Sequence, residues 1–326
     1  MKRKMFGICG LVSGLALTLT QTAPAQLVPV NADQSMNERD GAFTVTVLPE
    51  IFGTGGQSQS GIAKPAMCLP ALSKQHLKVA PRIAVDDSLR ELGVSASVNW
   101  SGYAATATPA KSDTVYTVTG TWTVPTVTST AGNGVAAYSA VWVGIDGFDD
   151  GTVEQLGTMQ AAEVVSQGRR GGTQTETLYY AWTEMYPAGM VELPGTVKPG
   201  DVIMASVTWV SGGTCTLYMK DVTENWTYGP VNVAGSTSAE DMSAEWVVEA
   251  PSSYFGILPL ADFGTVGFTG CSAEISSKTA GPIDGNGSTW DEMTMVTSNG
   301  RTVKAQPSGL TDAGSTSSFT VTWDHD

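Results

Sequence analysis

Two short segments carry polar residues whose types could perform catalysis. The sequence V-E-Q-L-G includes Glu154 and Gln155, and A-E-W-V-V-E includes Glu245 and Glu249. A glutamate with an ordinary pKa of about 4.3 can accept and return a proton in moderately acid solution, and a glutamine amide donates hydrogen bonds at any pH. Together such groups could activate water and stabilise an anionic oxygen. Taken singly, each is more often a solvated surface residue.

The chain lacks the residues that other hydrolytic mechanisms need. His76 and His325 are its two histidines, which argues against a Ser-His-Asp or Cys-His nucleophile and against a histidine-rich zinc site. The G-x-S-x-G, P-loop and H-E-x-x-H motifs are missing, as are the paired Asp-Thr/Ser-Gly signatures of aspartic proteases. A hydrolase built from this chain must therefore use carboxylates, amides and hydroxyls.

The two glutamates of A-E-W-V-V-E are predicted to share one face of a strand. Residues i, i+2 and i+4 of a strand point the same way, so Glu245, Val247 and Glu249 point to one side, and Trp246 and Val248 to the other. At about 3.3 Å per residue, the two glutamates lie about 13 Å apart. A straight strand therefore keeps them too far apart to act on one bond.

The elements that position these residues are predicted to be strands. Thr, Ser, Val, Gly, Trp and Tyr are plentiful, strong helix formers are scarce, and no long helix or internal repeat is evident. Short runs separated by Gly, Pro, Asn and Asp predict an all-β antiparallel sandwich or barrel. The predicted strands are residues 115–124, 137–145, 175–186, 202–210, 214–219, 227–233, 244–249, 264–270, 290–297 and 317–323.

The composition changes along the chain in a way that predicts three regions. Residues 1–25 have a basic start, an apolar run and a small-x-small end, which is typical of a secretory signal peptide. Residues 26–95 are rich in Gly, Ser and Pro and are predicted to be a removable pro-segment, the alternative being a tail that stays attached. Residues 96–326 are predicted to form the main domain.

Charge separates the main domain from the region before it. Residues 96–326 hold eight Lys and Arg against 24 Asp and Glu, so nucleic acid and anionic membranes are poor partners. The acidic surplus repels itself at neutral pH and is neutralised in acid. The predicted pro-segment could act as an inhibitor that docks at neutral pH and leaves in acid. Five of its basic residues could make these contacts: Lys64, Lys74, Lys78, Arg82 and Arg90.

An ordered set of motifs lies between about residues 97 and 324. The motifs are N-W-S-G-Y at 99–103, T-W-T-V-P at 121–125, A-V-W-V-G-I-D-G at 140–147, V-E-Q-L-G at 153–157, Y-A-W-T-E-M-Y-P at 180–187, A-E-W-V-V-E at 244–249 and A-D-F-G-T-V-G-F-T at 261–269. This set resembles the glutamic peptidases, also called eqolisins, which are acid endopeptidases. The resemblance implies a secreted precursor and a concanavalin A-like jelly roll, an antiparallel β-sandwich of two seven-stranded sheets.

The same resemblance implies which residues perform the chemistry. It assigns Gln155 and Glu249, and not Glu245 or Glu154, as the catalytic pair acting on polypeptide substrates. No metal or cofactor is implied, and we expect a monomer in which Glu154 is dispensable. The residues that the resemblance places around the substrate are Trp100, Trp142, Asp146, Glu184 and Tyr186.

Two other functions remain compatible with the residues alone. Glu245 and Glu249 resemble the glutamate pair of β-sandwich glycoside hydrolases, although a retaining pair needs carboxyl groups about 5–5.5 Å apart. A non-catalytic carbohydrate-binding domain could instead use Trp100, Trp142 and Trp182 as a stacking platform. Cys215 and Cys271 either form a disulfide in an oxidising compartment or remain free buried thiols.

Overall fold

β-Branched and aromatic residues fold the chain almost entirely into strands. The computed structural model describes residues 77–86, 94–107, 114–168, 171–276, 279–285 and 289–326. The predicted signal peptide and most of the predicted pro-segment lie outside these residues. Within them the structure contains no α-helix, in agreement with the composition.

Nineteen strands make up the described part of the chain. In chain order they are β1 (Ala84–Asp86), β2 (Val94–Ser97), β3 (Trp100–Thr106), β4 (Val115–Thr123), β5 (Ala136–Ile145), β6 (Val153–Ser166), β7 (Thr173–Tyr186), β8 (Val191–Glu192), β9 (Val202–Ser211), β10 (Thr214–Asp221), β11 (Trp226–Ala234), β12 (Ser243–Glu249), β13 (Ser252–Ser253), β14 (Gly256–Ile257), β15 (Thr265–Ile275), β16 (Thr289–Val296), β17 (Val303–Pro307), β18 (Thr311–Ala313) and β19 (Thr316–Trp323).

Hydrogen bonds join 17 of these strands into one continuous sheet, and β13 pairs separately with β14. One run of neighbours is β7, β6, β5, β12, β3, β16 and β2. A second run is β19, β15, β4, β9, β10 and β11. Strand β17 pairs with both β16 and β19 and so connects the two runs. The strand pairs are antiparallel except for β2 with β16, which confirms the predicted all-β antiparallel class.

Alternation along the central strands divides the apolar residues between two faces. Val141 of β5 and Val248 of β12 belong to a large core that also contains Val118 of β4, so that core lies between the two runs. Trp142 and Val247 point to the other side of the first run, into a second apolar cluster. Each fully buried valine contributes about 1.5–3 kcal/mol relative to an exposed one.

The structure bears on the pairing of the cysteines and on the strands near the boundary predicted at residue 95. Cys215 and Cys271 are free and buried, so the disulfide alternative is not realised. Strand β2 (Val94–Ser97) crosses the boundary predicted at residue 95 and pairs with β16. Strand β1, also within the predicted pro-segment, pairs with β2. A cut at residue 95 would therefore break a strand that is integrated into the sheet.

Candidate active site

One face of the first run brings together the residues that the sequence singled out. Across the strands, Gln155 of β6 lies opposite Gly144 of β5 and opposite Glu184 of β7. Glu249 of β12 lies opposite Ala140 of β5 and Trp100 of β3. We call the set Trp100, Trp142, Gln155, Glu184 and Glu249 the catalytic face, because it contains the two residues that the family resemblance assigns to catalysis.

A glycine makes room for the indole at the centre of this face. Gly157 lies between Trp142 and Trp182 across β5, β6 and β7. A Cβ atom at this position would lie 2.5 Å from the Cβ of Trp142 and 2.3 Å from the carbonyl oxygen of Val141. Any larger residue would therefore push Trp142 away from its neighbours.

Glu249 is fully buried and accepts hydrogen bonds on both carboxylate oxygens. Its Oε2 accepts from Trp142 Nε1 at 3.2 Å, and its Oε1 accepts from the backbone N–H of Ala80 at 2.9 Å. Burial raises the pKa of Glu249 well above its ordinary value, and repulsion from Glu184 adds to this rise. The Ala80 amide and the indoles of Trp142 and Trp100 act in the opposite direction.

Gln155 is buried between two polar partners. Its Nε2 donates to the carbonyl oxygen of Val79 at 2.7 Å and to Glu184 Oε2 at 3.4 Å. Its Oε1 is buried and has no hydrogen-bond partner among the described residues, so the amide has one acceptor available for a further ligand. The sequence alone favoured a surface position for this residue.

Glu184 holds the amide end of Gln155 and also binds backbone. Its Oε2 accepts from the N–H of Val79 at 2.9 Å. Burial raises the pKa of Glu184 to about 8, while the Val79 amide and the positive charge of Lys78 act in the opposite direction. The carboxyl group is therefore protonated in acid solution.

Trp100 and Trp142 pack edge to face, with ring centroids 4.8 Å apart. Trp100 Nε1 donates to the carbonyl oxygen of Ala80 at 2.9 Å, while Trp142 donates to Glu249. The indoles thus supply N–H groups to the face as well as apolar area.

Tyr186 and Asp146, the remaining residues predicted to contact substrate, lie in different surroundings. The Lys78 ammonium lies 5.4 Å from the centre of the Tyr186 ring. Asp146 instead accepts hydrogen bonds from the backbone N–H groups of residues 240, 241 and 242 at 2.7–2.8 Å. These bonds anchor a loop, so they give no support to a substrate-binding role for Asp146.

Residues 77–83, which we call the cleft segment, cover the catalytic face. The backbone of Lys78 bonds in both directions with that of Ser252, at 2.9 and 2.8 Å. Further along, Arg82 N–H donates to the carbonyl oxygen of Gly147 at 2.8 Å and Ile83 N–H donates to Asn99 Oδ1 at 2.9 Å. Sequence reasoning missed the role of this segment and of Asn99 and Ser252, because an extended peptide defined by its partner has no periodic signal of its own.

The geometry of β12 does not favour the glycoside hydrolase alternative. Residues Ser243–Glu249 pair without a bulge with both β3 and β5, so the about 13 Å spacing expected for Glu245 and Glu249 on a straight strand is retained. Trp100, Trp142 and Trp182 are fully buried and form no exposed stacking platform for a carbohydrate.

Neither a metal-binding cluster nor a membrane-spanning helix is found in the part of the chain that the structure describes. No group of three or more His, Cys, Asp or Glu residues there has the geometry to hold a metal ion. No helix there is long and apolar enough to cross a membrane.

Comparison with known proteins gives matches over this same region. A sequence model described as "Peptidase A4 family" matches residues 98–322. Aspergillopepsin-2 of Aspergillus niger is 31% identical over 216 residues, which cover 58% of this chain and 68% of that protein. The crystal structure of scytalido-glutamic peptidase with a transition state analog inhibitor is similar in fold, with a TM-score of 0.52 and 21% identity over 70% of this chain and 98% of that chain.

Proposed function

Because the chain belongs to the Peptidase A4 family and is a glutamic-type endopeptidase, we propose that Gln155 and Glu249 are the pair that hydrolyses polypeptide substrates. One observation carries the proposal, which is that the two side chains contact the two ends of a single peptide group. Gln155 Nε2 lies 2.7 Å from the carbonyl oxygen of Val79, and Glu249 Oε1 lies 2.9 Å from the amide nitrogen of Ala80.

In the proposed reaction Glu249 acts first as base and then as acid. Ionised Glu249 takes a proton from a water molecule, whose oxygen attacks the carbonyl carbon of the substrate. Gln155 Nε2 donates a hydrogen bond to the resulting oxyanion, and the free Oε1 of Gln155 orients the attacking water. Protonated Glu249 then gives its proton to the departing nitrogen, and the C–N bond breaks.

The protonation of Glu249 is proposed to depend on what covers it. Burial is the main cause of its raised pKa, and the cleft segment, which contacts Glu249 through Ala80, is part of what covers it. Burial favours the protonated form, which cannot act as base. When water reaches the carboxylate, the cost of desolvation falls and the pKa moves toward the ordinary value of about 4.3. Activity in moderately acid solution follows, since an amide donor does not titrate there.

The pro-segment is proposed to inhibit the enzyme by occupying the catalytic face. Lys78 lies near Tyr186, and Arg82 pairs with Asp149 at 3.3 Å and lies 4.1 Å from the centre of the Phe148 ring. These two are the basic pro-segment residues whose contacts the structure describes. The others that we predicted to dock, Lys64, Lys74 and Arg90, lie outside the described residues.

The remaining features of the precursor are proposed from the sequence. We propose that residues 1–25 direct secretion and that the mature enzyme acts outside the cell as a monomer. We also propose that the two runs of strands joined by β17 are the two seven-stranded sheets of a jelly-roll sandwich. The first run contains seven strands, and β17 or β18 completes the second.

Replacing Gln155 tests the proposed pair directly. Gln155→Ala removes the oxyanion donor and should lower kcat by about 10²–10³-fold. The measurement is digestion of an acid-denatured protein, with folding checked by circular dichroism under the same conditions.

Gln160→Ala is the matched control. Gln160 is a buried glutamine on the same strand, but it points to the opposite face, toward Ser139 and Thr158. Its replacement should leave the rate per folded molecule within a few-fold of the wild type. Retention of near-full activity by Gln155→Ala would refute the assignment.

A further inference from the structure

The cleft segment crosses the catalytic face in the extended conformation expected of a bound polypeptide. Lys78 forms a two-way backbone pair with Ser252, and the N–H of Val79 donates to Glu184. On the other side, the carbonyl oxygen of Ala80 accepts from Trp100, and that of Pro81 accepts from Asn99 Nδ2 at 3.0 Å. Backbone hydrogen bonds therefore fix the register of the segment on both sides of the catalytic pair.

Within this register one peptide bond is distinguished from its neighbours. The carbonyl oxygen of Val79 is the backbone oxygen bound by Gln155, and the nitrogen of Ala80 is the backbone nitrogen bound by Glu249. The carbonyl oxygen of Ala80 contacts an indole and an asparagine amide instead. In the mechanism proposed above, the first atom becomes the oxyanion and the second becomes the leaving group.

We infer that Val79–Ala80 is the bond that the enzyme cuts in its own chain, and that the mature protein begins at Ala80. This inference rests on the proposed roles of Gln155 and Glu249. One water molecule is consumed: its oxygen joins the carbonyl carbon of Val79, the C–N bond breaks, and the proton passes through Glu249 to the nitrogen of Ala80. Strands β1 and β2 then remain in the mature protein, in keeping with their place in the sheet.

The side chains of the segment indicate which other sequences the same face accepts. Val79 is fully buried and Leu77 is 7% exposed, and both belong to the apolar cluster that contains Trp142 and Trp182. Lys78 between them is exposed. We therefore expect cleavage after a β-branched apolar residue that fills the place of Val79, with a second apolar residue in the place of Leu77.

The full-length precursor provides the test. After incubation in acid, intact-mass analysis and N-terminal sequencing of the wild type should give one new terminus at Ala80. A peptide of residues 77–84 (L-K-V-A-P-R-I-A), digested by the processed enzyme, should be cut only between its Val and Ala. A precursor carrying Glu249→Gln should stay intact.

Two variants of the cleft segment probe the register. Val79→Gly removes the side chain that fills the apolar cluster and should slow self-cleavage at this bond at least tenfold. Ile83→Ala, the control, changes a side chain that is 45% exposed and keeps the backbone bond to Asn99, so its processing should match the wild type.

The outcomes separate this inference from the proposed function. Digestion of a denatured protein by the wild type, with a mature terminus elsewhere than Ala80, would overturn the inference and leave the catalytic pair in place. Unslowed processing of Val79→Gly at residue 79 would also overturn the proposed register. Full self-cleavage of the Glu249→Gln precursor would instead contradict the catalytic pair itself.

Discussion

Two regions of this protein bury carboxylates, and they surround them differently. On the catalytic face, Glu249 and Glu184 accept hydrogen bonds from backbone N–H groups, and Glu249 also accepts one from an indole. At the end of the sheet near β12, a second group consists of Asp146, Asp150, Glu154, Asp241 and Glu245, which we call the acidic cluster. There Asp146 and Asp150 also accept backbone N–H groups. The carboxylate oxygens of Glu154 and Glu245, in contrast, have no hydrogen-bond partner among the described residues, and their neighbours in the cluster are other carboxyl groups.

The pKa values of the acidic cluster show the consequence. Burial raises the pKa of Glu154 to about 9, and repulsion from Asp146, Asp241 and Asp150 adds to the effect. Burial and repulsion from Asp146 also raise the pKa of Asp150 and that of Asp241, each to about 7. Burial raises the pKa in both regions. At Glu249 and Glu184, backbone or indole donors oppose that rise, whereas at Glu154 repulsion from three neighbouring carboxyl groups adds to it, so Glu154 makes folding less favourable as the pH rises.

The largest expected difference between the two regions is in the loss of kcat when Glu249 or Glu245 of β12 is replaced. Glu249→Gln and Glu245→Gln each remove one ionisable group from β12, both fully buried. The first removes the proposed base and should lower kcat by at least about 10³-fold, as expected when a catalytic acid–base group is lost. The second should retain activity within a few-fold in an acid digestion assay. Equal losses would mean that the two sites are not functionally distinct.

Glu184 is expected to act as a positioning residue. Glu184→Ala removes the acceptor that holds Gln155 and should lower kcat/KM about tenfold, the value of one hydrogen bond. Because the pKa of Glu184 is raised to about 8, its carboxyl is neutral in acid, and Glu184→Gln should restore most of the rate there. A glutamine variant as slow as the alanine variant would show that the negative charge itself is required.

Trp142 tests whether the donors on the catalytic face tune Glu249. Trp142→Phe keeps the ring area but removes the N–H that favours ionised Glu249. The pKa of Glu249 should rise, so the acid limb of the pH–rate profile should move to higher pH. At pH values below the new pKa, the rate should be several-fold lower than that of the wild type. Trp182→Phe is the control, since Nε1 of Trp182 has no hydrogen-bond partner among the described residues. If the pH–rate profiles of Trp142→Phe and Trp182→Phe shift equally, the N–H of Trp142 does not control the pKa of Glu249.

The smallest expected effect concerns the stability contributed by the acidic cluster. Folded Glu154, with a pKa of about 9, keeps a proton that an unfolded glutamate releases near 4.3. The contribution of Glu154 to the free energy of unfolding is therefore greatest below about pH 4 and is lost as the pH rises toward 9. Glu154→Gln should raise Tm by a few degrees at pH 8 and change it little at pH 4, as measured by calorimetry.

Glu240→Gln is the control for the stability experiment. Glu240 lies in the neighbouring loop but is exposed, so its replacement should leave the pH dependence of Tm unchanged. If Glu154→Gln stabilises equally at both pH values, packing and not ionisation is responsible. The catalytic rate of Glu154→Gln should be preserved, as the sequence predicted.

The sequence predicted those strands whose residue types alone favour β structure. Strands β4, β5 and β12 were predicted because they are rich in β-branched and aromatic residues, although β5 and β12 are buried on both faces. Strand β6 was missed as a 14-residue strand, because it has no aromatic residue and mixes Glu, Gln, Gly and Ala with its few β-branched residues. The parallel pairing of β2 with β16 depends on a contact between distant segments and has no local signal.

The site was predictable in part for the same reason. Gln155, Glu184 and Glu249 lie on strands, so their shared face follows from the period of two once the strands are paired. Asp146 was placed near substrate by the family resemblance. In the structure its φ of 71° turns the chain, and its carboxylate accepts hydrogen bonds from a loop. The direction of the Asp146 side chain depends on this one backbone dihedral angle, and the neighbouring residue types do not specify the angle.

The register of β12 has a consequence for the time at which this protein becomes an enzyme. Glu249 is held between Trp100 of β3 and Ala140 of β5, strands made much earlier in the chain, while β3 also needs β16 from near the C-terminus. Contacts between such distant segments form slowly. During synthesis, no growing chain can therefore complete the catalytic face before its last strands emerge, and by then the cleft segment has long been available to cover it.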